Sequence, residues 1–429
     1  MWSVKIVLIN APVKRPSPHA RLAPPLGLAY IASALLKEGH DVRAIDFNIS
    51  GLNYGIVERM AEIERPAIVG ISAHTETFNN ALRIAERIKS INKEVNIVMG
   101  GPHPSLLPAQ VLESPAVDFV VKGEGEKTLV ELADSLVERN RKFDHIRGLA
   151  YREKGVVVNE EREPSDPDEL PYPARELFPI EFYQEKWNIA TARGSCPYKC
   201  PFCSASLLWQ GRRKPRSPEN IIAEIVLLKE KYDINYVFFT DDVFTLKRTW
   251  VYELADSLRS LDRPILWGCA TRVDLVDQEL LKDMAYAGCR AIQFGVESGS
   301  QKILDSVKGI KKEQALRAVK TAIEAGMKVA SSFMIPFPND TPSTINETKE
   351  FIKVLYRQGS KILLSYTTPY PGTLFYEKAD ALGIRILVND WEEFDSKHNV
   401  LETKHLSAEH IDRLVGEIAN EVGLETNIY

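Results

Sequence analysis

Short apolar runs alternate with helical patterns along two stretches of this chain, and no other feature constrains its fold as strongly. Parallel strands need crossover connections, which helices supply, so repeated strand–helix units build parallel α/β sheets. Over the first 145 residues, strands fit Val4–Asn10, Asp41–Asp46, Ala67–Ser72, Asn96–Gly100 and Asp118–Lys122. Helices fit Gly27–Glu38, Thr77–Ile91 and Glu126–Arg139. This predicts a Rossmann-like, doubly wound sheet, which binds ligands at the carboxyl ends of its strands. Standing there are Asn10-Ala11-Pro12, Ser72-Ala73-His74, Gly100-Gly101-Pro102-His103 and Gly123-Glu124-Gly125-Glu126. A hairpin is expected near Lys154-Gly155, followed by a linker rich in proline and acids at 162–179.

From Trp187 the alternation resumes. Strands fit Ile189–Ala192, Tyr236–Thr240, Ile265–Thr271, Ala291–Glu297, Lys328–Ile335 and Lys361–Thr367. Helices fit Pro218–Lys231, Thr249–Leu261, Gln278–Ala287, Lys312–Ala325, Pro342–Gln358 and Thr373–Leu382, four of them closed by Gly288, Gly326, Gly359 and Gly383. Six units are too few for an eight-stranded barrel, so a partial (β/α)6 barrel is expected. A short tail carries one more helix, Ala408–Val422, capped by Ser407. The expected divisions are 1–146 for the doubly wound domain, 147–184 for hairpin and linker, 185–385 for the barrel, and 386–429 for the tail.

Three cysteines, Cys196, Cys200 and Cys203, fall within CPYKCPFC. The spacing CxxxCxxC supplies three thiolates, one short of a closed zinc site. It fits a [4Fe-4S] cluster held at three irons, with the fourth open to a reactive ligand. A zinc site completed by Cys269 or Cys289 is the alternative. The net charge of −5 gives no basic footprint for nucleic acid. No apolar run reaches the length of a membrane span, and the N-terminus does not read as a secretory signal. Clustered cysteines argue for a reducing, cytoplasmic setting, and an exposed cluster for anaerobic conditions.

This spacing, with Phe202 before the last cysteine, resembles the radical S-adenosylmethionine enzymes. Ahead of it, Ser72 after the third strand and Gly100-Gly101 after the fourth resemble the cobalamin-dependent branch. Pro24-Pro25-Leu26-Gly27-Leu28 and the segments at 101–104 and 123–126 are also similar to that branch. The resemblance covers residues 1 to about 375. It implies that Asn10, Ser72, His74, Gly100, Gly101, His103, Gly123 and Glu124 contact cobalamin. Asn10-Ala11-Pro12 stands where an axial histidine element would be, which implies no histidine on cobalt from that position. For S-adenosylmethionine it implies Phe202 on the adenine, Thr240, Asp241 and Asp242 near the amino group, Arg272 on the carboxylate, and Glu297-Ser298 on ribose and carboxylate. For these residues a hydrophobic plug (Phe202), a magnesium site (the aspartates), an ion pair with Asp274 (Arg272) and a helix cap (Ser298) are the plainer readings. The fifth strand departs from the family's pattern, because Ser331-Ser332-Phe333-Met334-Ile335-Pro336 lacks both glycines expected there. Tyr366 and Tyr370 are expected to line the reaction chamber.

The activity implied is C-methylation of an unactivated sp3 carbon through a 5′-deoxyadenosyl radical and methylcobalamin, with an electron donor such as ferredoxin or flavodoxin. A peptide or protein side chain is favoured over a small-molecule substrate. Similar enzymes methylate residues of methyl-coenzyme M reductase, including a glutamine. Cyclisation or rearrangement, methyl transfer to phosphorus or an sp2 carbon, methylation of a lipid or natural product, and a cobalamin- or zinc-binding regulator are the other readings.

Overall fold

The computed structural model describes residues 3–14, 22–138, 142–194, 196–209 and 211–423. Arg139, the expected end of one helix, lies outside them. The chain divides into two compact units.

In the first unit, β1 (Lys5–Asn10), β2 (Asp41–Asp46), β3 (Ile68–Ser72), β4 (Asn96–Gly100) and β5 (Phe119–Val121) are parallel in the order β2-β1-β3-β4-β5. Expected and observed strands agree to within one residue at each end. Helices Leu26–Lys37 and Glu126–Val137 bury Leu28, Ala32, Leu35, Leu129 and Leu132 against Ile6, Leu8 and Val98. The expected hairpin is present, but it extends the sheet: β6 (Leu149–Arg152) pairs antiparallel with β5, and β7 (Val156–Val158) antiparallel with β6. Residues 193–197 and 206–214 also belong to this unit.

A short ribbon pairs β9 (Ala192–Gly194) with β10 (Arg213–Pro215), following β8 (Asn188–Ile189). In the second unit, β8 joins β11 (Tyr236–Phe239), β12 (Leu266–Arg272), β13 (Cys289–Glu297), β14 (Lys328–Ile335) and β15 (Lys361–Tyr366). All six are parallel in the order β15-β14-β13-β12-β11-β8, an open (β/α)6 arrangement with β8 and β15 as edges.

The expected helix stops are present. Gly288, Gly326, Gly359 and Gly383 all have φ between 68° and 100°, a region open to glycine and costly for other residues. Ser217 and Ser407 each accept a backbone N–H as caps. Among the features not anticipated are several short helices, the β9–β10 ribbon, helix Gln301–Val307, and an antiparallel hairpin of β16 (Ile384–Ile386) and β17 (Leu401–Thr403) before tail helix Ala408–Glu421. No described helix is long and apolar enough to cross a membrane.

The strands of the second unit show their two faces through burial. Ile292, Phe294 and Val296 are buried on one side of β13, while Ala291, Gln293 and Gly295 are half-buried on the other. On β14, Ala330, Ser332 and Met334 share the half-buried face, as do Leu363 and Ser365 on β15. Gln293 Nε2 donates to Ser332 Oγ across that face at 3.0 Å.

Candidate active site

The carboxyl ends of β1, β3 and β4 form the floor of a cavity of about 530 Å³ in the first unit. Of the eight residues expected there, Asn10, Ser72, His74, Gly100, Gly101, Gly123 and Glu124 line it. Gly101 has φ of 100°, and a Cβ there would stand 2.7 Å from the Ala73 carbonyl oxygen and 3.2 Å from Ser72 Oγ. Position 101 therefore admits only glycine, and Gly100-Gly101 put no side chain over the floor. Asn10 is held by Asp46, whose Oδ1 accepts its Nδ2–H at 3.0 Å while Oδ2 accepts the Tyr183 hydroxyl at 2.7 Å. Glu124 Oε2 accepts the Ser165 N–H at 2.8 Å. Burial, and then the neighbouring Glu126, push the Glu124 carboxyl above its ordinary range.

His103 is a correction. It is fully buried, stacks on Phe78 with ring centroids 4.3 Å apart, and has Nδ1 3.4 Å from Thr75 Oγ1. Burial lowers its pKa to about 4, so it is a neutral core imidazole and does not line the cavity. Sequence reasoning missed Arg193 and Trp209, which do line it; their place in the sequence, beside the cysteines, gave no sign of this.

None of the three clustered cysteines is in a disulfide, and all are half-buried on one loop. Among the described residues no three His, Cys, Asp or Glu side chains gather as around a single metal ion. A four-iron cluster takes each thiolate on a different iron and asks for a wider set. Burial pushes the Cys200 thiol up, while Lys308 and Arg272 pull it back toward the thiolate a cluster requires. Cys269 and Cys289 are fully buried in the core and hydrogen-bonded to each other, which removes them as zinc ligands.

Around Cys200 the second unit assembles a charged group. Arg272 Nη1 lies 3.9 Å from Cys200 Sγ, and its guanidinium stacks over Tyr198 at 3.9 Å. Asp274 holds it bidentately at 2.9 and 3.0 Å, and the Lys308 carbonyl accepts a further bond at 3.1 Å. The Arg272–Asp274 pair is thus present, but Arg272 is buried. Glu297 ends β13 with φ of 75° at a register shift against β14, a backbone state that costs of order 1–3 kcal/mol and marks functional positions. Lys308 Nζ bonds Glu297 Oε1 at 2.6 Å and the Gly295 carbonyl at 2.7 Å. Lys308 was not anticipated, since it follows helix Gln301–Val307 and only tertiary folding returns it to β13.

Several expected contacts are placed elsewhere. Asp241 is buried and accepts both the N–H and hydroxyl of Thr191, whereas Asp242 and Thr240 are exposed. The two carboxylates do not form a joint magnesium site. Ser298 is buried and bonds Thr348 Oγ1 at 3.0 Å, which fixes the turn into the next helix. Phe202 packs against Phe337 and Phe375, at 5.6 and 6.3 Å between centroids, as a hydrophobic plug would. Tyr366 is a second correction: it lies on the buried face of β15 and bonds Asp412 of the tail helix, so it does not line the half-buried face. Tyr370 is half-buried in the turn beyond β15.

The B12 binding domain family matches residues 20–133, and the Radical SAM superfamily matches residues 194–352. An uncharacterized methyltransferase of Pyrococcus horikoshii is 35% identical over 97% of this chain and 91% of its own length. The chain belongs to the cobalamin-dependent radical S-adenosylmethionine methyltransferase family. Also similar is the anaerobic magnesium-protoporphyrin IX monomethyl ester cyclase of Rubrivivax gelatinosus, 29% identical over 87% of this chain and 68% of that one. The radical S-adenosylmethionine methyltransferase TsrM from Kitasatospora setae, solved with cobalamin and [4Fe-4S] cluster bound, shares the fold. Its TM-score is 0.79 at 19% identity, over 98% of this chain and 89% of that one.

As a member of this family the chain is an enzyme whose cofactors are cobalamin, a [4Fe-4S] cluster and S-adenosylmethionine. The donor sets fit them: a glycine-floored cavity for a flat corrinoid, and three thiols for a cluster with one open iron. Gly101→Ala should therefore weaken hydroxocobalamin binding about tenfold or more, read by absorbance titration. Unchanged affinity would remove the corrinoid from this floor.

Proposed function

We propose that this enzyme C-methylates an unactivated sp3 carbon of a neutral, amide-bearing substrate, a peptide or protein side chain. The observation that carries this reading is the lining of the half-buried face of the second unit. It presents Ala291, Gln293, Ala330, Ser332, Met334, Leu363 and Ser365, all uncharged. Charged side chains reach this face beside Gly295, where Lys308 and Glu297 pair with each other, whereas Gln293 and Ser332 can exchange hydrogen bonds with an amide. A glutamine of methyl-coenzyme M reductase is the specific candidate that resemblance supplies.

The bound cofactors supply hydrogen abstraction and the methyl group; the chain's residues bind, orient and exclude water. Cys196, Cys200 and Cys203 would hold three irons. Lys308 and Glu297, of opposite charge beside Cys200, are suited to the carboxylate and amino ends of the methionyl group. Arg272, already held by Asp274, would act by orienting Tyr198 and lowering the Cys200 pKa. Thr240 and Asp242 are exposed residues at the end of β11, and Tyr370 stands in the turn beyond β15. Asn10, Ser72, His74, Gly100, Gly101, Gly123 and Glu124 would meet the corrinoid. The expected divisions near residues 146, 184 and 385 remain our domain assignment, with 193–197 and 206–214 reassigned to the first unit.

A second reading, oxidative cyclisation, is favoured by the likeness to the monomethyl ester cyclase. Reconstituted enzyme given S-adenosylmethionine labelled in its methyl group, with glutamine-containing peptides and a porphyrin ester in parallel, separates the two. Label on a peptide carbon is expected. Ring closure of the porphyrin without label transfer would replace our reading with the second.

A further inference from the structure

The loop that carries the cysteines has a closed base, and that base forms part of the corrinoid cavity wall. A Cβ at Gly194 would stand only 2.0 Å from the Arg212 carbonyl oxygen, and one at Gly211 would stand 3.4 Å from Pro197 Cα. The chain therefore enters and leaves the loop through two close backbone approaches: the one at Gly194 tolerates no side chain, and at Gly211 the φ of 74° favours glycine. Both approaches lie within the first unit.

This base is fastened to the cavity on each side of the cysteines. Ahead of them, Arg193 pairs with buried Glu126, and its guanidinium lies 4.2 Å from the Tyr30 ring centre. Behind them, Trp209 packs on Gly123, where its Nε1 would be 3.4 Å from any added Cβ. Arg212 pairs with Glu161 at 3.2 Å and with Glu163. Arg193 and Trp209 both line the cavity. The indole is a donor only, and its Nε1–H is sealed from water with no acceptor among the described residues. Among the described residues Trp209 Nε1–H therefore has no acceptor, and it lies against Gly123, a residue of the cavity lining.

We infer that Trp209 is a positioning residue through which corrinoid binding and cluster binding are linked. A corrinoid filling the cavity holds Trp209 and Arg193 in place and so holds the base of the cysteine loop. A cluster ordering the loop sets the same two side chains for the corrinoid. Such coupling is reciprocal: each cofactor raises the other's affinity by one factor. This rests on the cavity being the corrinoid site, as argued above.

The test is a hydroxocobalamin titration of full-length protein, with and without anaerobic reconstitution of the cluster, for wild type, Trp209→Ala and Trp209→Phe. We expect reconstitution to tighten binding about fivefold or more in wild type. Trp209→Ala should abolish that difference, and Trp209→Phe should keep the part due to packing. As a second readout, bound hydroxocobalamin should slow iron release to a chelator in wild type and not in Trp209→Ala. Equal affinities with and without cluster, or full coupling in Trp209→Ala, would overturn the inference while leaving the corrinoid site intact. No corrinoid binding in any state would overturn the cavity's assignment, and this inference with it.

Discussion

Cys200→Ala protein, reconstituted with iron and sulfide, holds far fewer than the about four irons per chain of a complete cluster, and it forms no 5′-deoxyadenosine from S-adenosylmethionine. Three thiolates are the minimum that leaves one iron open, so losing one removes the site at which S-adenosylmethionine would be activated. Cys200 is the most informative of the three because two cations, Arg272 and Lys308, stand beside it against burial and Glu297. Arg272 and Lys308 oppose the rise in thiol pKa that burial causes. Hydroxocobalamin binding should survive in this variant, weakened only by the coupling factor, because Gly100, Gly101 and Ser72 are untouched. Retention of full iron content would mean that another residue ligates the cluster.

Lys308→Met should strongly destabilise the second unit. The Lys308–Glu297 pair has side-chain exposures of only 6% and 10%. Removing the ammonium leaves Glu297 buried, with a strained backbone and no counter-charge. Breaking such a pair from one side costs about 3–5 kcal/mol, whereas replacing both partners is often close to neutral. The double variant Lys308→Met/Glu297→Gln should therefore recover most of the loss in denaturant unfolding. The sign for Cys200 also follows: without Lys308 its thiol pKa rises, and alkylation at fixed pH slows. A single variant no less stable than the double would show that the Lys308–Glu297 pair does not hold the fold together.

The fold was legible because its signals are local. Helix-closing glycines, capping serines and period-two strands can be read one segment at a time. Lys328–Ile335 was expected and observed with identical bounds. The linker hairpin was read as a hairpin, but its pairing with β5 is a long-range fact that no local pattern encodes. In the first unit the residues at the strand ends could be named from sequence, since strand ends of a doubly wound sheet share one edge; seven of the eight expected there line one cavity. His103 failed because a residue next to a strand end can still turn into the core. Tyr366 failed for an avoidable reason: counting alternate residues along Lys361–Tyr366 puts it with Ile362 and Leu364 on the buried face. Lys308 and Trp209 were not legible at all. Each reaches its site from a segment without a motif, Lys308 from thirteen residues beyond its Gly295 partner.

The most direct test of the account is anaerobic turnover with both products counted. Protein reconstituted with iron, sulfide and hydroxocobalamin is given S-adenosylmethionine, a reductant and glutamine-containing peptides, and 5′-deoxyadenosine and S-adenosylhomocysteine are quantified together by mass spectrometry. We predict both products from wild type, and neither at a comparable level when Cys196, Cys200 and Cys203 are all alanine. Protein that binds zinc in place of iron and forms neither product would contradict the assignment of a cobalamin-dependent radical methyltransferase.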